Sequence, residues 1–165
     1  MPYQKVTRDQ IVSYLDTTPG GSSQTWKIIG VGVEEKTVDA NPQTTTTKWI
    51  INKNATTELN SFQMQSDITQ TCYHGDEVYD YVNELRRNMA VGSAVASHVL
   101  DIDLYDSEED GGTTTYKATV YDCAVVWTSY GGGENAEIGY SIYYNGDPKV
   151  GTVVITNGTP VFTED

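Results

Sequence analysis

The chain has 165 residues and carries 23 acidic against 10 basic side chains, which gives a net charge of −13 at pH 7. Such a charge repels nucleic acid and anionic membranes at long range, which argues against a protein that grips DNA or RNA. No run of about 18 apolar residues predicts a membrane-spanning helix, and the first ten residues lack the apolar segment of a signal peptide. We therefore expect one domain with a modest core, and free thiols at Cys72 and Cys123.

The first segment of the chain allows two predictions. Thr7 and Gln10 have the spacing of a helix capping box, which favours a short helix through Leu15. The alternation of Ile11, Ser13 and Leu15 fits a strand equally well, and we favour a strand or irregular structure. The next strand is predicted over residues 26–33.

Residues 38–59 are rich in β-branched side chains and are predicted to be extended. Their first half, with threonine at each position from 44 to 47, has little to contribute to a core. An isolated hairpin of this kind is at best marginally stable in water. We therefore expect an arm that is completed by something outside the segment. Short strands are also predicted at residues 49–51 and 62–64.

One α-helix is predicted, at about residues 76–88. Val78, Tyr81, Val82 and Leu85 recur at the spacing of a single apolar helix face. Acidic residues begin the segment and two arginines end it, so that both ends complement the helix dipole. The sequence thus indicates one amphipathic helix packed on a core.

The second half of the chain is predicted to consist of strands and turns. Residues 98–105 alternate between apolar and acidic from position 100 to 104, so the carboxylates should share one face of a strand. The fold class is therefore mainly β (α+β), a β-sandwich or barrel with one packed helix and one polar arm. The remaining elements are a turn at 107–112, a long strand at 116–130, a strand at 138–144, a turn at 145–148 and a short strand at 153–155.

The sequence contains no arrangement of residues that indicates catalysis. His74 and His98 stand outside any motif, and there is no nucleophile elbow, phosphate-binding loop or dinucleotide fingerprint. We therefore predict that the protein is not an enzyme and uses no cofactor. The 12 tyrosines and three tryptophans could form a sugar-binding platform, although half-buried strands and subunit interfaces are the favoured interpretation.

A cluster of acids between residues 101 and 110 has some of the composition of a calcium-binding loop. The pattern fails, because Tyr105 and Asp106 stand where an acidic residue and a glycine are required. A solvated acidic face is favoured, with a looser calcium site as the alternative. The candidate residues are Asp101, Asp103, Asp106, Glu108, Glu109 and Asp110.

Several short motifs follow one another along nearly the whole chain. They are SYLDT at 13–17, Trp26 with IGVGV at 29–33, NPQTT at 41–45, NATTE at 54–58, GDEVYDYV at 75–82, YNGDP at 144–148 and GT at 151–152. In order and spacing they resemble the major tail proteins (tail tube proteins) of long-tailed phages of Gram-positive bacteria. One departure is Glu77, where the family pattern has proline, but glutamate is equally suited to the first turn of a helix.

The resemblance implies a structural virion protein with a single tail-tube domain over residues 1–165. Six copies would close a ring, and rings would stack into a tube that conducts DNA without binding it specifically. The partners would be further copies of the chain and other tail proteins (tape measure, tail tip and neck terminator), with no membrane involved. The protein would be made in the host cytoplasm and reside in the virion tail.

The resemblance also implies that residues 38–59 are an arm reaching the neighbouring ring. Trp49, Ile50 and Ile51 are the expected apolar anchors of that contact. The acidic cluster would face either the lumen or an outer loop. A phage-tail-like particle without a genome fits the sequence equally well, and the alternative of another class is a monomeric β-sandwich module for carbohydrate binding or adhesion. The expected interface residues are Asn41, Pro42, Thr45, Thr46, Lys48, Trp49, Ile50 and Ile51.

Overall fold

A computed structural model of the chain describes residues 2–165, which fold into nine strands and one α-helix, with two short 3-10 turns. No helix in this range is both long and apolar enough to span a bilayer. The elements are β1 Ile11–Asp16, β2 Trp26–Ile28, β3 Pro42–Thr47, β4 Thr56–Phe62, β5 Gln65–Thr71, α1 Glu77–Arg87, β6 Ala96–Asp110, β7 Thr113–Gly131, β8 Glu137–Thr156 and β9 Thr159–Glu164.

Seven strands form one antiparallel sheet in the order β2-β1-β6-β7-β8-β5, and β9 pairs with β8. The long strand β8 pairs with β5 along its first half and with β9 along its second half. Because β2 at one end of the order comes close to β9, the sheet nearly closes on itself. Strands β3 and β4 form a separate two-stranded sheet. The predicted sandwich or barrel with one helix and a hairpin arm is confirmed.

Apolar side chains pack on both faces of the large sheet. Tyr14 and Leu15 are neighbours in β1 and point to opposite faces, so they belong to different clusters. The larger cluster lies under α1, which contributes Val78 and Val82 with no exposed surface. The smaller cluster contains Tyr14, Leu100, Ile102, Ala118, Val120 and Val153.

The predicted helix is confirmed, and its ends are set by local chemistry. The Asp76 carboxylate accepts a hydrogen bond from the Tyr79 backbone N–H at 3.0 Å, which satisfies a free donor of the first turn. Two members of the predicted apolar stripe, Tyr81 and Leu85, lie at the margin of the core. Tyr79 is also buried, which widens the apolar face beyond the predicted stripe.

The strand favoured for the first segment is confirmed from Ile11 onward, and one helical turn precedes it. The Gln10 side-chain oxygen accepts from the Thr7 backbone N–H at 3.0 Å, and Arg8–Gln10 form a single 3-10 turn. Strand β1 begins immediately afterwards at Ile11, where the alternating pattern starts. The helix prediction through Leu15 is therefore wrong, and the capping box closes one turn only.

The strand predicted over residues 26–33 ends at Ile28. The chain then turns toward β5, where Gly32 has a φ of +79° and an added Cβ would overlap the Thr71 carbonyl oxygen. The neighbouring strand β5 was not predicted as such, because its sequence is polar. It is nevertheless half-buried, with Ser66, Ile68 and Gln70 directed inward.

The predicted strand at residues 49–51 is wrong, because these residues form the loop between β3 and β4. The Asn52 backbone N–H donates to the Trp49 carbonyl oxygen at 3.0 Å and closes a turn there. The strand predicted at residues 62–64 is also displaced, since Phe62 ends β4 and a new strand starts at Gln65.

Two segments predicted as turns belong partly or wholly to strands. The turn placed at residues 107–112 is confined to Gly111 and Gly112, which both have positive φ, and β6 runs as far as Asp110. The turn placed at residues 145–148 is a bulge in β8, where three residues stand opposite Tyr121 of β7. The short strand predicted at residues 153–155 is the continuation of β8.

The buried phenols and one buried thiol predict a loss of stability in alkali. Burial raises the pKa of the tyrosines and brings the pKa of Cys123 to about 12. In the unfolded chain the thiol ionises near a pKa of about 8.5 and tyrosine near about 10. Unfolding in alkali then releases protons, so the free energy of unfolding falls as the pH rises above about 9. The tyrosines affected by burial are Tyr14, Tyr81, Tyr121, Tyr140 and Tyr144.

We expect the urea midpoint to decrease steadily between about pH 8 and pH 10.5, and to recover when the pH is returned to about 8. The buried phenols should contribute to tyrosinate absorbance only together with unfolding, because they ionise only when they are exposed. A midpoint that stays constant over this range would contradict the burial of these groups.

Candidate assembly surfaces

The arm is a hairpin without a core. Its strands pair from Pro42 opposite Phe62 to Thr47 opposite Thr56, with an irregularity after Gln43. Cross-strand hydroxyl contacts add to the backbone ladder: Thr46 Oγ1 lies 2.9 Å from Thr57 Oγ1. Nearly every side chain of both strands is exposed. The predicted interface residues therefore share one protruding element, and neither strand pairs with the large sheet.

The base of the arm is fastened beside β5. Asp39 and Gln65 exchange two backbone hydrogen bonds of 2.8 and 3.0 Å. One step further out, the Asn41 side-chain amide donates to the Gln63 carbonyl oxygen at 3.0 Å, and the Gln63 N–H donates back to the Asn41 carbonyl oxygen at 3.2 Å. The arm therefore leaves the protomer at the β5 side of the sheet, with its two chains held together at the exit.

The tip of the arm carries the three predicted apolar anchors. The exposed fractions of Trp49, Ile50 and Ile51 are 66, 103 and 88%. Lys48 and Lys53 flank them in a chain that is otherwise strongly acidic. Ile50 is thus as accessible as in an extended peptide, and none of the three belongs to a core cluster of its own chain. We call residues 48–53 the arm tip.

The six predicted acidic residues lie on one strand, β6, and none is in a loop. Asp101 is half-buried and accepts a hydrogen bond from Ser13 Oγ at 2.6 Å. Asp103 stands opposite Lys117, and burial together with the nearby Asp101 and Asp106 carboxylates raises the pKa of Asp103. The structure therefore places part of the cluster against the body of the protein.

The other acids lie nearer the end of the β6–β7 hairpin. Asp106 Oδ2 lies 3.3 Å from Lys117 Nζ in an exposed ion pair, which is worth little on its own. Glu108, Glu109 and Asp110 are exposed and stand opposite threonines of β7. Within residues 2–165, no group of three or more His, Cys, Asp or Glu side chains has the geometry to hold a metal ion.

The histidines have structural surroundings. His98 Nδ1 lies 3.0 Å from Asp16 Oδ2, and the Asp16 carboxylate is buried. The other oxygen of Asp16 accepts from the backbone N–H groups of Thr18 and Thr25, each at 3.0 Å. This carboxylate thereby fastens the loop between β1 and β2, and His98 closes the cluster. His74 is almost fully exposed and lies 3.4 Å from Asp80.

Two grooves were not predicted from the sequence. The first has a volume of about 430 Å³ and is acidic, with five carboxylates contributed by three separate segments. The second has a volume of about 440 Å³ and is apolar. It lies between the end of α1, the residues that follow it, and β7. Acids of the first groove are Glu34, Glu35, Asp39, Asp67 and Glu137, and the apolar groove is lined mainly by Leu85, Met89, Val91, Val95, Val125 and Trp127.

No single sequence signal could have indicated these grooves. In the acidic groove, Thr71 at the end of β5 pairs with Glu137 at the start of β8, across more than 60 residues of chain. In the apolar groove, Met89 and Val91 follow the helix, whereas Trp127 comes from a strand that is distant in sequence. Only the pairing of the sheet brings these residues together.

Comparison with known proteins gives a match in structure alone. No protein-family model and no curated protein matches the chain. Among solved structures, it is similar to a chain in the tail of an empty GTA particle, computed with helical refinement and C6 symmetry. The TM-score is 0.58 at 14% identity, over 87% of this chain and 97% of that chain. The protein therefore shares its fold, over nearly its whole length, with a chain of a sixfold-symmetric particle tail.

Proposed function

We propose that this protein is a structural tail tube subunit without catalytic activity, which assembles with copies of itself into six-membered rings that stack. The observation that carries the proposal is the shared fold, because it covers 97% of a chain from a tail with C6 symmetry. The resemblance of the sequence motifs to major tail proteins of phages of Gram-positive bacteria points the same way. We further propose that the protein resides in the virion tail.

The arm supports self-assembly on physical grounds. A two-stranded hairpin with exposed faces gains little stability from its own contacts. Its strands also leave unpaired backbone groups along both outer edges, which favours pairing or packing with another chain. The arm tip adds three apolar side chains, each of which contributes about 1.5–3 kcal/mol when it is fully buried. Contact with a neighbouring copy would both pair the free backbone groups of the arm and bury the apolar side chains of its tip.

The location of the arm supports open-ended stacking. The arm emerges at the β5 side of the sheet with an exposed tip, and we propose that it docks on a different surface of the neighbouring copy. An interface between two different surfaces is heterologous, and unless the rotation closes it generates a filament. Tube length and attachment would depend on the other tail proteins, namely the tape measure, tail tip and neck terminator.

The negative charge suits a conduit for DNA. Carboxylates offer no binding site for phosphate, so DNA could slide along such a wall without being trapped. We propose that the exposed acids at the end of the β6–β7 hairpin, Glu108, Glu109 and Asp110, contribute to such a lumen. The half-buried Asp101 and Asp103 are engaged within the protomer and would contribute less.

The proposal is tested by sedimentation across protein and salt concentrations. Each copy carries a net charge of −13, so repulsion opposes assembly when the screening length is about 30 Å, at about 10 mM salt. We expect the pelleted fraction to rise with protein concentration and to be larger at about 150 mM salt than at about 10 mM. A single small species under every condition, with a melting temperature raised by oligosaccharides, would favour the carbohydrate-binding module instead.

A further inference from the structure

The apolar groove is formed where the helix returns to the sheet. After Asn88 closes α1, Met89 adopts a φ of +47° and the chain crosses to the start of β6. Met89 and Val91 are exposed, and Leu85 and Trp127 are partly buried beside them. The groove therefore exposes large apolar side chains, and a contiguous apolar surface of this kind is typical of a site that binds another molecule.

A strand edge borders the same groove. β6 begins at Ala96, opposite Ala124, so the following residues of β7 pair with β8 only. Val125 and Trp127, which line the groove, lie on this half of β7. A strand edge that no other strand pairs with is a potential contact for another chain. The groove thus combines apolar surface with a strand edge that has no second strand beside it in the described residues.

We propose that this groove receives the arm tip of a second copy of the chain. This inference rests on the proposed assembly and names the surface that accepts the arm. Trp49, Ile50 and Ile51 are consecutive, exposed and apolar, which matches the lining of the groove. In the sheet order the arm leaves beside β5, whereas the groove opens on the other side of β7. Donor and acceptor are therefore different surfaces of one protomer, as a head-to-tail contact requires.

The contact area explains why assembly would require many copies. The tryptophan can bury about 150–250 Å², and with the two isoleucines the arm tip supplies on the order of 400 Å². A stable pair of proteins buries about 800 Å² on each side. One tip in one groove therefore falls short of a stable dimer. A ring of copies makes several such contacts at once, and their combined strength exceeds that of a single contact.

The acidic groove is one competing acceptor, because Lys48 and Lys53 flank the arm tip, and a groove lined by Trp26, Val161 and Phe162 is another. The five carboxylates of the acidic groove would attract these lysines but offer the three apolar side chains no apolar surface. Burial of those side chains gives the larger gain, since exposed ion pairs contribute at most about 1 kcal/mol. The acidic and apolar grooves therefore differ in what they could bind, and a position-specific test separates all three.

The test is disulfide cross-linking between two differently labelled chains. Both carry Cys72→Ser, and the buried Cys123 stays unreactive because burial keeps its thiol protonated. The donor chain carries Ile50→Cys and the acceptor chain carries Val91→Cys. Matched acceptors carry Thr37→Cys in the acidic groove or Val161→Cys in a third groove of about 520 Å³, which Trp26 and Phe162 also line; both positions are exposed. Circular dichroism and melting temperature establish that every variant is folded.

We expect the Ile50→Cys and Val91→Cys chains to cross-link at least about tenfold faster than either matched pair, because docking raises the local thiol concentration. Adding Met89→Asp to the acceptor chain should abolish that advantage. Equal rates for all pairs, or preferential cross-linking to Thr37→Cys or to Val161→Cys, would overturn the inference. Sedimentation of the unmodified chain reports separately on assembly. If tubes form but this cross-link does not, only the assignment of the groove as the acceptor of the arm tip is refuted.

Discussion

Replacing residues 42–62 with Gly-Gly is expected to leave the protomer folded and to abolish its self-assembly. The two residues that flank the deletion, Asn41 and Gln63, already exchange two hydrogen bonds at 3.0 and 3.2 Å, so a short connection can join them. The removed residues are nearly all exposed, and none belongs to either core cluster. Single substitutions at such surface positions usually alter stability by no more than about 0.5 kcal/mol, and the entropy of closing a loop depends only weakly on its length.

For a domain of this size we expect the melting temperature to stay within about 2 °C of the full chain. Sedimentation should find no large assemblies at any protein concentration. A companion variant with serine at positions 49, 50 and 51 keeps the hairpin and removes only its apolar tip, which separates the role of the side chains from that of the strands. Normal polymerisation of the deletion variant would exclude the arm as the assembly element, and an unfolded variant would make it part of the domain.

Tyr140→Ala is expected to cause a large loss of stability. Tyr140 is 1% exposed and lies in the main core, where α1 packs on the sheet. Its hydroxyl donates to Gln70 Oε1 at 2.9 Å. Truncating a large buried aromatic side chain costs about 3–5 kcal/mol, a substantial part of the roughly 5–15 kcal/mol that stabilises a typical domain. Urea denaturation measures the loss as a lower midpoint.

Tyr140→Phe is the matched control, because it keeps the ring and removes only the hydroxyl. The Gln70 amide nitrogen retains its bonds to the Val31 carbonyl oxygen and to Asp76 Oδ2, each at 2.8 Å. The unpaired Gln70 oxygen should cost about 1–3 kcal/mol. A cost below about 1.5 kcal/mol for the alanine variant would mean that the ring is not packed in the core.

Elements with local signals could be predicted from the sequence, and elements defined by pairing could not. Helix α1 has an N-cap at Asp76, an apolar face and charges that suit its ends, all within residues 76–88. Strand β5 is polar, and its buried face becomes apparent only when the strand is paired with β8 in the sheet. At residues 145–148 the turn signal is real, but pairing with β7 on both sides keeps β8 continuous.

The candidate surfaces divide in the same way. The arm is a continuous segment, so its composition and its apolar tip are visible in the sequence. Trp49 to Ile51 were predicted to form a strand because of their β propensity, but the threonine ladder on either side leaves them in the loop. The grooves are assembled from distant segments. Their positions depend on the register of the sheet, which no local pattern specifies.

Negative-stain electron microscopy of the purified full-length chain, over a series of protein concentrations, is the decisive test of the tail tube proposal. We predict hollow rings or tubes of one uniform diameter, with sixfold symmetry in end-on averages. The same grids prepared with the arm deletion should contain only small single particles. Dispersed particles of the full chain at every concentration, including at about 150 mM salt where charge repulsion is screened, would contradict the proposal.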